Sequence, residues 1–274
     1  MSMQIGNRDY KRGRANVCEY NMTITKESNT EENRNCFVDN NDELVRCPIT
    51  QKCIQKRDLF KTASGHCFSK DALLKHVVTQ LNNNSEKLTN PSTNQELVTE
   101  DEDRIIDYLI VANEIPQAVK ILTIINNRFR IQYENGKKSL SADSKFIRFI
   151  LKSETRKQHL SQLLTKLAPE LMMFASYILQ ELLYEKYTSA AKIYFNETLQ
   201  YASEFEAECI QLLHSFGMIE EARALFNETL QYASGFNMAD IKILYDIHFE
   251  KEALKLFQNS AKFMDETDLS LLLK

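Results

Sequence analysis

Four side chains early in the sequence are of the types that bind structural zinc: Cys47, Cys53, His66 and Cys67. Thiolates and imidazoles of this kind could hold one tetrahedral ion. A cross-braced zinc domain needs a second set, however, and no Cys or His lies between His76 and His159. Since cysteines also serve as small buried apolar residues, a metal-free module is the favoured interpretation. Zinc remains the alternative, and no other cofactor is expected.

This part of the chain contains two short loops, Cys47-Pro48-Ile49-Thr50 and Asn90-Pro91-Ser92-Thr93. The turn Ser64-Gly65-His66 and a helical pattern lie between them, and a second helical pattern, Arg104 to Ile110, follows. In this order and spacing the pieces resemble the U-box family over residues 44 to 112. The resemblance implies that polar turns and a small apolar core do what zinc does in RING domains. The candidate core residues are Leu59, Phe60, Phe68, Leu73, Val77 and Leu97.

The U-box resemblance implies an E3 ubiquitin ligase without a covalent intermediate or a catalytic nucleophile of its own. Such a ligase binds a ubiquitin-charged conjugating enzyme (E2) and promotes transfer of ubiquitin to a substrate lysine. Ile49 and Pro91 would form the apolar contact with the E2, and His76 on the intervening helix would lie at its edge. As structural alternatives, Ile49 and Pro91 are ordinary loop packing and His76 faces solvent.

The sequence departs from the family pattern at two positions. Family members usually carry a basic residue after Pro-x-Thr in the second loop, where it contacts the E2 and ubiquitin, and this chain has Asn94. In the first loop, Gln51 stands near where an apolar side chain is common. Lys52 could supply the missing positive charge, and loss of catalytic activity is the other interpretation.

A second functional hypothesis is therefore a non-catalytic adaptor with a degenerate U-box. A hydrolase or transferase hidden in the helices is disfavoured, because no glycine-rich loop, HExxH pair or nucleophile elbow is present. In style, the chain is similar to the ubiquitin-ligase effectors that intracellular bacteria such as Legionella deliver into host cells. That likeness implies action in the host cytosol.

The elements that must position these residues are mostly helical, because only 6 Gly and 4 Pro leave few sharp turns among 274 residues. Residues 1–43 are polar without periodicity and are predicted to be flexible. We expect a small α+β U-box-like module with its closing helices at 44–126 and a connector at 127–138. A helical domain follows at 139–274, in which Pro169 is expected to open a helix.

This helical domain contains an internal repeat. The segment FNETLQYAS occurs twice, beginning at Phe195 and at Phe226, a period of 31 residues that starts from about residue 171. Ala191, Ala222 and Ala253 follow the same period, which predicts stacked helix pairs in a solenoid-like array. The pattern resembles tetratricopeptide and pentatricopeptide repeats, without their tryptophan and proline landmarks.

Charge and hydropathy limit the partners. Residues 185–274 carry 15 acidic and 8 basic side chains, and the whole chain has a net charge of -4. Negative charge disfavours nucleic acid and favours an unidentified protein substrate for the repeats. We expect no secretory signal and no membrane span, and therefore a cytosolic protein with reduced cysteines.

Overall fold

The computed structural model describes residues 44–134, 142–171, 176–202, 207–229 and 238–260. It is mostly helical with a two-stranded sheet, which confirms the predicted fold class at that level. The chain divides into two compact units after Ile105, and the two are considered separately below. The segment predicted to be flexible, 1–43, lies outside the described residues.

The first unit contains a β-hairpin followed by a helix. Strand β1 (Leu59–Lys61) pairs antiparallel with β2 (Cys67–Ser69), so that Phe60 lies opposite Phe68. Helix α1 (Lys70–Asn82) follows directly. Five of the six predicted core residues are buried, and Leu59, at the start of β1, is half-buried. The buried five are Phe60, Phe68, Leu73, Val77 and Leu97.

Helix α2 (Thr99–Val111) carries three acidic residues in its first turn, where they favour the positive end of the helix dipole. The division between the units falls inside this helix. Helices α3 (Ile115–Glu134), α4 (Ala142–Leu151), α5 (Glu154–Gln158) and α6 (Leu160–Leu171) follow in the second unit.

Two boundaries in this region differ from those expected from the sequence. Helix α3 runs on into the predicted connector at 127–138, because Phe129 continues its apolar face and packs edge-on against Phe149 of α4. Pro169 lies inside α6 rather than opening a helix. Six buried residues continue along α6, and their burial outweighs the roughly 3 kcal/mol that an interior proline costs.

An ion pair between a buried arginine and a half-buried aspartate lies in the second unit. Arg156 is 1% exposed, and its Nε is 3.1 Å from a carboxylate oxygen of Asp107. Its Nη1 donates to the Phe149 carbonyl, and the Ser153 hydroxyl donates to the second oxygen of Asp107. These contacts join the last turns of α2 to the α4–α5 connection.

Three helix pairs complete the second unit, and their bounds recur with the predicted 31-residue period. They are α7 (Ser176–Tyr184) with α8 (Thr188–Thr198), α9 (Ala207–Ser215) with α10 (Ile219–Thr229), and α11 (Met238–Asp246) with α12 (Glu250–Ser260). The turn inside each pair has one residue of positive φ: Lys186 in the first pair, Gly217 in the second and His248 in the third. The backbone therefore closes each pair in the same way.

Equivalent side chains also pack equivalently. Ala191, Ala222 and Ala253 are all buried, as expected of small residues that let neighbouring helices approach. Lys192 of α8 bonds Glu221 of α10 at 2.7 Å, and one period later Arg223 approaches Glu252 of α12 at 3.6 Å. Successive second helices are thus linked by the same kind of ion pair.

No helix within the described ranges is long and apolar enough to cross a membrane.

Candidate functional site

The first predicted loop is a tight hydrogen-bonded turn. The Cys47 N–H donates to the Lys52 carbonyl, and the Gln51 N–H donates to the Cys47 carbonyl, both at 2.8 Å. Gln51 has a φ of 60°, and its side-chain amide donates to the Pro48 carbonyl. Ile49 lies at the exposed tip of this turn with 40% of its surface accessible. The loop thus presents an apolar side chain on a fixed backbone.

The second loop repeats this backbone. The Asn90 N–H donates to the Gln95 carbonyl, and the Asn94 N–H donates to the Asn90 carbonyl, both at 2.8 Å. Asn94 has a φ of 56° and is exposed, whereas Pro91 is half-buried. Asn94 therefore occupies the position that Gln51 has in the first loop.

Further contacts extend the equivalence of the two loops. The Thr50 hydroxyl accepts from the N–H of Lys52, and the Thr93 hydroxyl accepts from the N–H of Gln95. In both loops the sequence is Pro-x-Thr followed by an amide residue of positive φ, a conformation that Asn adopts more readily than most residues. This shared pattern is the sequence signal from which the matching geometry could have been predicted.

A polar network joins the second loop to the β-hairpin. His66 Nδ1 lies 3.0 Å from the Ser64 hydroxyl and 3.3 Å from the Asn90 side-chain nitrogen. The Asn90 side-chain oxygen accepts from the Ser92 N–H, which fixes the orientation of the amide. Because the amide nitrogen can only donate, His66 Nδ1 is an acceptor and the ring proton belongs on Nε2. Thr62, 3% exposed, bonds both the Ser64 hydroxyl and the His66 backbone.

Two further side chains hold the module together, and sequence reasoning missed both. The side-chain amide of Gln80 on α1 makes two hydrogen bonds to Thr89. Its oxygen accepts from the Thr89 N–H, and its nitrogen donates to the Thr89 hydroxyl at 2.6 Å. The carboxylate of Asp101, 2% exposed, accepts from the Ala63 N–H of the hairpin turn at 2.9 Å. Burial raises the pKa of Asp101 above its ordinary value of 3.8, with a smaller rise from Glu100. The Ala63 N–H and Arg104 oppose that rise.

Cys47 anchors the first loop. Burial raises the pKa of its thiol, but hydrogen bonds from the N–H groups of Ser69, Thr50 and Ile49 and from the Thr50 hydroxyl lower it further. The net pKa lies below the ordinary value of 9.0. Each loop is therefore bonded to the hairpin region, the first through Cys47 and Ser69 and the second through Asn90 and His66.

Zinc ligation is not supported by the contacts of the candidate ligands. Across the described ranges, no three His, Cys, Asp or Glu side chains cluster as a metal site requires. Cys53 is disulfide-bonded, so the prediction that all cysteines stay reduced is wrong for this residue. His66 Nδ1 is engaged with Ser64 and Asn90.

The remaining predicted site residues differ in exposure. Gln51 and Lys52 are exposed on the first loop. His76 is half-buried on α1, and its Nε2 is buried with no hydrogen-bond partner within the described part of the chain. A buried ring nitrogen of this kind is costly unless a partner reaches it.

Comparisons with protein-family models, with curated proteins and with solved structures find no match for this chain. The case for a function therefore rests on the geometry of the first unit.

Proposed function

We propose that the protein is an E3 ubiquitin ligase whose first unit is a U-box-like module. The carrying observation is the pair of loops with matching backbones, the first bonded to the hairpin region through Cys47 and Ser69 and the second through Asn90 and His66. A module built in this way presents two preorganised loops, which is what a docking surface for an E2 requires.

In the proposed mechanism the E3 forms no bond to ubiquitin. Ile49 and Pro91 supply apolar contact to the E2, and the half-buried His76 on α1 lies at the edge of that contact. The substrate lysine attacks the E2 thioester directly, and the E2 thiolate leaves. Asn94 donates hydrogen bonds that steady the charged E2, and the exposed Lys52 supplies positive charge.

The helix pairs of the second unit act as the substrate-binding part, as a short solenoid. Their recurring bounds and inter-pair ion pairs support a repeat architecture, and their acidic composition favours a basic protein surface.

The test is an in-vitro ubiquitination assay of the full chain with a panel of E2 enzymes. We expect chain formation with at least one E2, and its loss in Ile49→Ala and in Pro91→Ala. Ile131→Ala is the matched control, because Ile131 is 57% exposed on α3 outside the proposed site. Normal ligation and E2 binding by folded Ile49→Ala protein would refute the assignment.

A non-catalytic adaptor is the second candidate, and Asn94 favours it. The exposed amide is neutral where the U-box pattern carries a basic residue, so charge stabilisation of the thioester is weaker. If no E2 supports chain formation while the helix pairs still bind a partner, the adaptor is the better description. An Asn94→Arg variant that gains ligation would show that the charge alone was missing.

A further inference from the structure

The charges of the first unit are divided between two parts of its sequence. Residues 46–75, which include the first loop, the β-hairpin and the start of α1, carry seven basic and two acidic side chains. Residues 76–103, which include the second loop, carry one basic and six acidic side chains. In a chain with a net charge of -4, positive charge is therefore concentrated in the part of this unit that contains the first loop.

Contacts within the unit bring several of these basic residues to the same side of it. Lys52, at the end of the first loop, and Lys75 of α1 line one cleft together with Thr50. The Lys70 ammonium donates to the Arg57 carbonyl at 2.7 Å, which holds the segment before β1 against the start of α1. These basic residues therefore form one face beside the first loop.

Two side chains of this face are available to an outside partner. Lys52 and Lys75 are exposed, and neither forms an ion pair with another residue in the described ranges. The cleft between them also contains two carboxylates. Asp58 lies 3.7 Å from the Arg57 guanidinium, and Asp71 is exposed. Because Asp58 is paired with an arginine, positive charge is in excess around the cleft.

The pattern of charges fits a folded protein partner better than a phosphate-rich one. Nucleic acid backbones and anionic lipid surfaces are attracted by basic groups, and the carboxylates of Asp58 and Asp71 on the same face would repel them. A protein surface can instead place an acidic group opposite each lysine and leave room for a carboxylate between them. Ile49, 40% exposed on the same loop as Lys52, adds the apolar anchor of such an interface.

We propose that this face selects E2 enzymes whose contact surface is acidic, with Lys52 and Lys75 as the specificity-determining residues. The inference rests on the proposed function, because it is the E2 that docks on Ile49. Complementary charge chiefly accelerates association, whereas a buried apolar anchor chiefly slows dissociation. The lysines and Ile49 should therefore affect different rate constants.

The test is to measure the association and dissociation rate constants, kon and koff, of the full chain with a panel of ubiquitin-free E2 enzymes that differ in surface charge. We expect kon to be highest for E2 enzymes with an acidic contact surface and to fall as salt is raised. Lys52→Glu and Lys75→Glu should each lower kon about tenfold at low ionic strength and leave koff nearly unchanged. Ile49→Ala should instead raise koff.

Lys166→Glu is the matched control. It makes the same change of charge at an exposed position of α6 in the second unit, and it should leave both rate constants unchanged. A charge swap adds a result that a merely structural role of the lysines would not give. An E2 in which an acidic residue of the contact surface is changed to lysine should bind wild type more slowly and recover kon with Lys52→Glu or Lys75→Glu.

Two results would overturn the inference. The first is E2 binding that Ile49→Ala weakens while kon is the same in Lys52→Glu, Lys75→Glu and wild type, or is highest for basic E2 enzymes. That result would remove the charge selection and leave the proposed ligase intact. The second is binding of no E2 by wild type, which would overturn the inference together with the proposed function. Binding of anionic vesicles or RNA by wild type but not by Lys75→Glu would then assign the face to a phosphate-rich partner.

Discussion

At the scale of single residues, the first unit depends on side chains whose polar atoms are almost completely buried. Asp101 is the clearest case, because its carboxylate satisfies the Ala63 N–H while burial disfavours its charge. Asp101 also lies in the acidic first turn of α2, at the positive end of the helix dipole. Its bond to a turn that precedes it by 38 positions could not be predicted, because it depends on tertiary packing.

Asp101→Asn should change how stability depends on pH. A raised folded-state pKa means that the contribution of Asp101 to stability is fully present below its unfolded pKa and is lost as pH rises through the folded pKa. Asparagine keeps an acceptor for the Ala63 N–H and does not titrate. The stability of the variant relative to wild type should therefore increase as pH rises from about 4. Urea unfolding across about pH 4 to 7 measures the free energies of unfolding of both proteins. A difference between variant and wild type that stays constant or shrinks as pH rises would contradict the prediction.

Asp107→Ala should destabilise the second unit strongly. The change removes the carboxylate that lies 3.1 Å from the Nε of buried Arg156, and because Asp107 is itself 31% exposed the expected cost is about 1 to 3 kcal/mol. Urea unfolding at neutral pH measures the decrease in the free energy of unfolding. Lys157→Ala is the control, since its ion pair with the exposed Glu154 is worth less than about 1 kcal/mol. Equal effects of the two variants would contradict the role given to the pair of Asp107 and Arg156.

At the scale of elements, the sequence predicted the helix pairs well because their period is carried by the residues that pack. Alanines at a fixed spacing mark close helix contacts, and their burial follows. Both loops could be recognised from their shared Pro-x-Thr sequence, but the hydrogen bond between His66 and Asn90 could not be predicted, because it joins residues distant in sequence. The extent of α3 was underestimated, because its apolar face continues past a polar stretch.

Asn90→Ala should loosen the second loop while leaving the first intact. It removes the side-chain bonds to His66, Ser64 and the Ser92 N–H, for a loss of roughly 1 to 3 kcal/mol. Hydrogen exchange should increase at residues 89–97 more than at 46–54. Equal protection of both loops would show that the network does not hold the second loop.

Lys186→Gly should stabilise the first helix pair. Lys186 adopts a φ of 65° at the turn where the next pair has Gly217, and a non-glycine residue in this conformation costs about 1 kcal/mol. The reverse change, Gly217→Ala, should destabilise by a similar amount, although its added methyl group meets no atom within 4 Å. Thermal unfolding of both variants measures this, and shifts of the same sign would contradict the shared-turn interpretation.

At the scale of the whole molecule, the chain combines a small module with two hydrogen-bonded loops and a helical unit that contains the recurring helix pairs and whose last part, residues 185–274, is acidic. The mostly helical class followed from the scarcity of glycine and proline. The division between the two units after Ile105 could not be predicted from composition. It falls within a continuous helix and is defined by contacts rather than by a linker. In the proposed account, one unit engages the E2 and the other engages the substrate.

The most direct test is a single-turnover assay in which ubiquitin is discharged from a charged E2 to free lysine by the full chain with a metal chelator present. The account predicts that wild type and Ile131→Ala accelerate discharge. Ile49→Ala should lose most of that acceleration, because truncating a buried interface anchor costs about 2 kcal/mol or more. Chelator-sensitive discharge, or equal rates for Ile49→Ala and wild type, would contradict a metal-free ligase that binds its E2 through this loop.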